Sequence, residues 1–270
     1  MTNENGVLHT NGARIHYEVD GDGPPVVLIH AGVADRRMWD DQVTALRGRY
    51  RVIRYDTRGY GRTETEAVEF SNRADIVALL DHLGEDSAHV LGLSRGGMIA
   101  LDFALEHPDR TRSLVVAAGG IGGYESPDEA DASEFEEAEK LLEAKDWAGI
   151  SEWETAYWAD GPGQPKGRVD PAVRVKVHGW ILTNYQAEKV EGTPQPLDPP
   201  AVGRLSELHM PLLVMIGTLD EPGTRESMRH LAGTVPGARL EVFEGAAHMI
   251  NLEQPERFNR VLAAFLDEVR

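Results

Sequence analysis

Short, mainly apolar runs recur along the chain and alternate with stretches in which apolar residues repeat about every 3.6 positions. Residues 7–19 alternate apolar and polar positions around Asn11-Gly12, a dipeptide typical of hairpin turns. Later runs are short enough to be buried strands and lie at 26–29, 51–55, 90–93, 114–118, 212–216 and 240–243. Helical spacing marks 35–46, 71–83, 97–106, 225–231 and 255–269. Strands that alternate with helices predict an α/β fold with a mostly parallel central sheet flanked by helices.

The alternation stops between the runs at 114–118 and 212–216. The intervening residues are mainly helical in pattern, acidic and rich in tryptophan, with loop stretches at 161–167 and 192–200. Counting the hairpin as two strands, we predict a small helical cap at 121–203, inserted after the sixth strand. Residues 1–120 and 204–270 are predicted to form one α/β core. The length of 270 residues fits a single domain that carries such an insertion.

The charge and the absence of cysteine argue against several classes of partner and catalytic site. Lys and Arg number 27 against 45 Asp and Glu, and the net charge of −18 argues against nucleic-acid and anionic-membrane partners. We interpret this charge as favouring solubility; a preference for neutral or cationic substrates is the alternative. The absence of cysteine excludes disulfides, thiolate metal sites and a cysteine nucleophile. No apolar run approaches the roughly 18 residues of a membrane span, and residues 1–6 carry no signal-peptide core, so we expect a cytoplasmic protein without membrane partners.

A candidate nucleophile lies in Gly92-Leu93-Ser94-Arg95-Gly96, which has the pattern Gly-x-Ser-x-Gly. The motif comes directly after one of the predicted strands and directly before a helical stretch. A sharp strand-to-helix turn needs small residues beside the serine, and it exposes the hydroxyl at the edge of the sheet. Because the motif alone is short, its position between strand and helix is the stronger evidence. The alternative is a plain glycine-rich turn.

A serine hydroxyl needs a base to remove its proton and a third group to orient that base. Among the 10 histidines, His248 is the candidate base because it lies in a loop just past the last predicted strand. Asp220 follows the strand at 212–216 and is the candidate acid; Glu221 is the local alternative, and a helix cap is the alternative role for Asp220. Since Ser94, Asp220 and His248 all follow strands, we predict that they meet at the carboxyl edge of the sheet, where ligands of such sheets bind.

The reacting carbonyl becomes an oxyanion that requires hydrogen-bond donors. One predicted donor is the backbone N–H of Arg95, at the start of the helix that follows the nucleophile. The other is expected from the loop after the strand at 26–29, where Gly32 is favoured and Val33 is the alternative. His30 lies at the end of that strand, and we expect it to have a structural role.

These residues resemble the α/β-hydrolase superfamily, in which the nucleophile, acid and histidine follow one another along the chain. Further matches are His30-Ala31-Gly32, the segment 56–63 of pattern D-x-R-G-x-G-x-[ST], and Gly245-Ala246-Ala247-His248. The resemblance covers nearly the whole chain except the predicted cap, and it implies the α/β-hydrolase fold. The chain departs from the usual pattern at Ala31, so the oxyanion donor is expected at Gly32 or, one position later, at Val33. Arg95 is a second departure: its side chain is either structural or reaches a substrate carboxylate.

A serine at this turn argues against haloalkane dehalogenases and epoxide hydrolases, which use aspartate there. The resemblance is to 3-oxoadipate enol-lactonase-like enzymes and carboxylesterases, and it implies hydrolysis of a small-molecule ester or lactone through a Ser-His-Asp acyl-enzyme. Trp153 and Trp158 are the predicted pocket residues, and the alternative is that the tryptophans of this region form the cap's own core. No metal or organic cofactor is expected, and a homo-oligomer stays open. Alternatives are a carbon–carbon bond hydrolase, perhydrolase, lyase or cofactor-free oxygenase, or a ligand-sensing receptor with slow turnover.

Overall fold

The computed structural model describes residues 3–127, 135–187, 190 and 192–270. In this part of the chain, nine strands form one sheet. The eight longer ones are β1 (Asn3–Thr10), β2 (Ala13–Asp20), β3 (Pro25–Ile29), β4 (Arg51–Tyr55), β5 (Ala88–Leu93), β6 (Thr111–Ala117), β7 (Leu212–Gly217) and β8 (Arg239–Phe243). Their order is β1-β2-β4-β3-β5-β6-β7-β8, and Glu64–Thr65 pairs with β2. Strand β2 pairs antiparallel with its neighbours, whereas the six strands β3 to β8 pair in parallel with one another.

Helices cover both faces of the sheet. The α-helices of the described residues are α1 (Asp40–Leu46), α2 (Asn72–Leu83), α3 (Arg95–Glu106), α4 (Glu136–Glu143), α5 (Trp147–Thr155), α6 (Pro171–Gln186), α7 (Pro222–Thr234), α8 (Ile250–Glu253) and α9 (Pro255–Glu268), of which α4, α5 and α6 belong to the insertion after the sixth strand. Alternate residues of β3 enter opposite cores: Val27 and Ile29 pack with α2, α3 and α7, and Val26 and Leu28 pack with α1 and α9. Burial on both faces explains why this strand is apolar at every position.

The predicted mostly parallel sheet, its flanking helices and the helical insertion after the sixth strand are confirmed. Helices α4, α5 and α6 lie between β6 and β7, and a π-turn, Ala156–Asp160, continues α5. The bounds of the cap at 121–203 stay a prediction, and its residues 128–134, 188, 189 and 191 lie outside the described residues. Within the described ranges, no helix is both long and apolar enough to cross a membrane.

Two of the predicted helices differ clearly in their bounds from the observed ones. The predicted helix at 35–46 divides into a 3-10 turn, Arg36–Trp39, followed by α1. The predicted helix at 225–231 begins earlier, at Pro222, because the Glu221 carboxylate caps its first turn and proline suits the first helical position.

The loop after β4 is fixed by two buried charged residues. The Asp56 carboxylate accepts the backbone N–H of Arg36 at 2.9 Å and that of Arg62 at 2.8 Å. Arg58 donates to both carboxylate oxygens of Asp75 on α2, each at 2.8 Å, and the two side chains are only 1% and 5% exposed. Burial raises the pKa of the Asp75 carboxyl even though Arg58 opposes that shift. The cost of burying both charges offsets most of their attraction, so the pair contributes little net stability. Removal of either partner, however, leaves the other as an unpaired buried charge.

We predict that Asp75→Asn lowers the free energy of unfolding by about 3–5 kcal/mol, because it leaves the Arg58 guanidinium buried without an anion. Denaturant unfolding measures the loss. The control is Glu64→Gln, which breaks the surface ion pair between Arg14 and Glu64. Their side chains are 52% and 65% exposed. That control should lose less than about 1 kcal/mol. Equal losses in both variants would refute this view of the buried pair.

Candidate active site

Ser94 occupies a strained turn between β5 and α3. Its φ is 58° and its ψ is −124°, in a region that favours glycine and costs other residues about 1–3 kcal/mol. The turn is held on both sides: the Ser94 N–H donates to the Ala117 carbonyl at 2.9 Å, and its carbonyl accepts the Met98 N–H at 3.1 Å. This geometry places the half-buried serine at the carboxyl edge of the sheet, as its motif predicts.

Close backbone contacts explain the two glycines of the motif. A Cβ on Gly92 would collide with the Gly96 carbonyl, and one on Gly96 would collide with the carbonyls of Ile29 and His30 at the end of β3. Only glycine lets α3 start this close to β3. The contact also places the first N–H groups of α3 next to the loop that follows β3.

His248 and Asp220 form a direct hydrogen bond. The His248 Nδ1–H donates to Asp220, with Nδ1 at 2.8 Å from Oδ1 and 3.1 Å from Oδ2. An ionised carboxylate only accepts, so the bond assigns the proton to Nδ1 and leaves the Nε2 lone pair as the acceptor. The Asp220 side chain is fully buried and also accepts the Glu221 N–H at 2.8 Å. Glu221, the alternative acid, instead caps α7 through the N–H groups of Gly223 and Thr224, at 2.7 and 2.6 Å.

The loops after β7 and β8 are joined by backbone hydrogen bonds. The Thr218 N–H donates to the Phe243 carbonyl at 3.1 Å, and the Leu219 N–H donates to the Ala246 carbonyl at 2.9 Å. Gly217 permits this approach, because a Cβ there would collide with the carbonyls of Ala246 and Ala247. The two loops that carry Asp220 and His248 are therefore fixed to each other.

Ser94 and His248 line one cavity of about 330 Å³, which we call the Ser94 cavity. Its aromatic wall consists of Tyr124, Phe135 and Trp158. The Trp158 ring lies against the imidazole of His248, with ring centroids 4.6 Å apart. Of the two predicted pocket residues, Trp158 lines the cavity and Trp153 does not. Trp153 stacks on Tyr157 with centroids 5.0 Å apart, and its ring also contacts Phe135.

Arg168 ties the π-turn that carries Trp158 to the loop that carries His248. Its guanidinium donates to the Asp160 carbonyl at 2.6 Å, to the Gly245 carbonyl at 2.8 Å and to both Glu253 oxygens at 2.5 and 2.8 Å. Glu253 also accepts the Ala247 N–H at 3.0 Å. These contacts fix the cap against the imidazole. The sequence analysis missed them, since the partners are up to 85 residues apart.

The two residues predicted to donate to the oxyanion, Gly32 and Arg95, are neighbours in the structure. The Ala34 N–H donates to the Ala31 carbonyl at 3.1 Å, so Gly32 and Val33 are the central residues of a tight turn whose own hydrogen bond uses neither of their N–H groups. Gly32 approaches the side chain of Arg95: a Cβ there would lie 3.5 Å from the Arg95 Cδ atom. Gly32, Arg95 and the alternative Val33 stay predicted donors.

His30 organises this loop through a chain of hydrogen bonds. It is fully buried, and its Nε2 accepts the Thr57 N–H at 3.0 Å, so the proton lies on Nδ1 and is donated to the Ala31 carbonyl at 2.7 Å. Thr57 Oγ1 lies 3.0 Å from the same Nε2 and accepts from Arg95 Nη1 at 2.8 Å. Burial lowers the pKa of His30 to about 4, which keeps the ring neutral. The structural role expected for His30 agrees with this geometry. The sequence analysis did not single out Thr57 and Tyr60, which contact the Arg95 side chain.

The described residues contain no group of three or more His, Cys, Asp or Glu side chains placed to hold a metal ion. The arrangement offers a serine at a strained turn, a histidine with an acceptor nitrogen and two candidate N–H donors. Such a set suits nucleophilic attack on a carbonyl carbon.

The sequence profile of the alpha/beta hydrolase fold family matches residues 24–255. The chain belongs to this family. The resemblance drawn from its motifs is thereby confirmed, and the protein is a hydrolase. The 3-oxoadipate enol-lactonase 1 of Acinetobacter baylyi is 25% identical, and the alignment covers 100% of both chains.

Other members of the alpha/beta hydrolase fold family show the range of substrates. A 2-hydroxy-6-oxononadienedioate/2-hydroxy-6-oxononatrienedioate hydrolase of Burkholderia vietnamiensis is 31% identical over 94% of this chain and 91% of its own. Among solved structures, a thermophilic esterase of Thermogutta terrifontis, with malate bound, superimposes with a TM-score of 0.76 at 25% identity and covers 100% of this chain and 99% of its own. Lactonase, esterase and diacid hydrolase are thus all represented.

We predict that Gly96→Ala lowers the free energy of unfolding of this hydrolase by about 3 kcal/mol or more, since its methyl group meets two strand carbonyls. The matched control is Gly48→Ala, where a Cβ would have open space. It should change stability by less than about 0.5 kcal/mol. Denaturant unfolding of both variants measures the difference, and a fully stable Gly96→Ala protein would contradict the close contact between α3 and β3.

Proposed function

We propose that this hydrolase cleaves a carboxylic ester or lactone through an acyl-enzyme on Ser94. The observation that carries the proposal is the His248–Asp220 hydrogen bond at the wall of the cavity that also contains Ser94. That bond orients an imidazole acceptor on the side of the nucleophile. The lactonase and esterase relatives support an ester bond as the target.

In the proposed reaction, His248 Nε2 takes the Ser94 proton while the serine oxygen attacks the carbonyl carbon. The carbonyl oxygen becomes an oxyanion, held by the N–H groups of Arg95 and Gly32. Collapse breaks the carbon–oxygen bond, and His248 gives its proton to the leaving alcohol. Water, deprotonated by His248, then attacks the acyl group and releases the acid, and the proton returns to Ser94. Asp220 stays ionised throughout and orients the imidazole.

Hydrolysis of a carbon–carbon bond is the second candidate. The relative from Burkholderia vietnamiensis favours it, because the compound named for that enzyme is a keto diacid that contains no ester bond. Attack would again occur at a carbonyl carbon, so the same serine, imidazole and N–H donors would serve. The leaving group would then be a carbon centre stabilised by its own conjugation.

We predict that Ser94→Ala lowers kcat for p-nitrophenyl acetate by at least about a thousandfold, since the nucleophile is removed while its base stays. The control is Ser227→Ala, a second serine of the same cavity. It should lose less than about tenfold. Steady-state release of p-nitrophenol measures both. Similar activities of the two variants would exclude Ser94 as the nucleophile, and a single stoichiometric burst in the wild-type protein would favour the slow receptor over the enzyme.

A further inference from the structure

The side chain of Arg95 lies at a junction between cavities. It borders the Ser94 cavity, and it also borders a larger cavity of about 640 Å³. We call the latter the Tyr60 cavity; Gly32, Val33, Tyr60 and Glu154 are among its lining residues. The guanidinium carbon stands 4.9 Å from the centre of the Tyr60 ring, so the charged end faces this larger cavity.

The guanidinium is fixed by neutral groups. Arg95 Nη1 donates to Thr57 Oγ1 at 2.8 Å, and the face of Tyr60 supports the planar group. Within the described part of the chain, no carboxylate lies within salt-bridge distance of Arg95. Arg58 of the same cavity differs, because both oxygens of Asp75 neutralise it. Arg95 therefore presents a positioned charge without its own counter-ion.

Acidic side chains also line the cavities that Arg95 borders. The Glu221 carboxylate of the Ser94 cavity accepts the N–H groups at the start of α7. Glu154 belongs to α5 on the cap side of the Tyr60 cavity, where its carboxylate accepts the Tyr185 hydroxyl at 2.5 Å and burial raises its pKa. Asp102 lines a third cavity that Arg95 also borders; burial raises its pKa to about 6, and the cations that act on it are Arg73 and Arg204. The core side of the Tyr60 cavity thus keeps an unopposed cation.

We propose that Arg95 selects substrates that carry a carboxylate, which would bind at the core side of the Tyr60 cavity while the scissile carbonyl is at Ser94. This inference rests on the proposed function and names its substrate class: half-esters or lactones of dicarboxylic acids. A guanidinium matches a carboxylate through two parallel hydrogen bonds and attracts it strongly in a partly buried site. Thr57 and His30 act as positioning residues, because they hold Arg95 through the hydrogen-bond chain that ends at the Ala31 carbonyl.

Two p-nitrophenyl esters of one length test the proposal. Mono-p-nitrophenyl glutarate carries a carboxylate, and its methyl ester is the neutral counterpart. The readout is the ratio of kcat/KM for the anionic ester to kcat/KM for the neutral one. We expect Arg95→Met to lower this ratio by at least about tenfold, and Arg95→Lys to lose less than Arg95→Met because it keeps the charge. The control Arg62→Met removes an exposed arginine and should change the ratio by less than about twofold.

Thr57 provides a matched pair for the positioning role. Thr57→Val removes the hydroxyl that accepts from Arg95 while keeping the shape, and it should lower the ratio; Thr57→Ser keeps the hydroxyl and should restore most of it. An unchanged ratio in Thr57→Val would show that this hydrogen bond does not position the guanidinium. Melting temperatures of all variants show whether each is folded.

Calorimetric titration with glutarate separates this inference from the proposed function, because it requires no turnover. We expect glutarate to bind the wild-type protein and to bind Arg95→Met at least about tenfold more weakly. Arg95-dependent glutarate binding without ester hydrolysis would support the anion site and overturn the proposed reaction. If folded Arg95→Met hydrolyses the esters with an unchanged ratio of kcat/KM for the anionic ester to that for the neutral ester, the proposed reaction stands and the anion site is wrong.

Discussion

The hydrogen bond between His248 and Asp220 is the interaction on which the rest of the site depends. It joins two loops that follow neighbouring parallel strands, β7 and β8, and the backbone bonds from Thr218 and Leu219 hold those loops together. Because the acid is fully buried, the bond is protected from water and the imidazole keeps one tautomer. The Nε2 atom is therefore left as the hydrogen-bond acceptor of the ring before any substrate binds.

The opposite side of the site is built by the first half of the chain. The loop after β3 supplies Gly32, and the loop after β4 supplies Thr57 and Tyr60. Both loops meet α3 at Arg95, one residue beyond the strained Ser94. The proposed base and acid thus come from one end of the parallel ladder, and the proposed nucleophile and oxyanion donors come from its middle. An unpaired arginine at this point also offers a local attraction for anions, although the chain's formal net charge is −18.

Much of this arrangement can be predicted from the sequence because it is encoded locally. Buried parallel strands are apolar at successive positions, and ligands of such sheets bind at the carboxyl ends of the strands, where the candidate residues Ser94, Asp220 and His248 lie. Contacts between distant segments carry no local signal. The bond from Arg95 to Thr57 spans 38 residues, and neither side chain reveals the other. The cap illustrates the same limit, because Trp153 and Trp158 were both predicted to line a pocket. Trp153 lies in α5, whereas Trp158 lies in the π-turn that follows and lines the Ser94 cavity. The change from α-helix to π-turn alters the direction of the side chains, and no local sequence pattern indicates it.

A crystal structure of the protein after treatment with a small alkyl fluorophosphonate tests the central claim most directly. The serine oxygen would displace fluoride and form a bond to phosphorus, so the adduct imitates the tetrahedral intermediate. We predict phosphorus on Ser94 Oγ, with the phosphoryl oxygen accepting from the N–H groups of Arg95 and Gly32 and with His248 Nε2 within hydrogen-bond distance of the Ser94 oxygen. An adduct on another residue, or an imidazole turned away from Ser94 with its bond to Asp220 broken, would contradict the account.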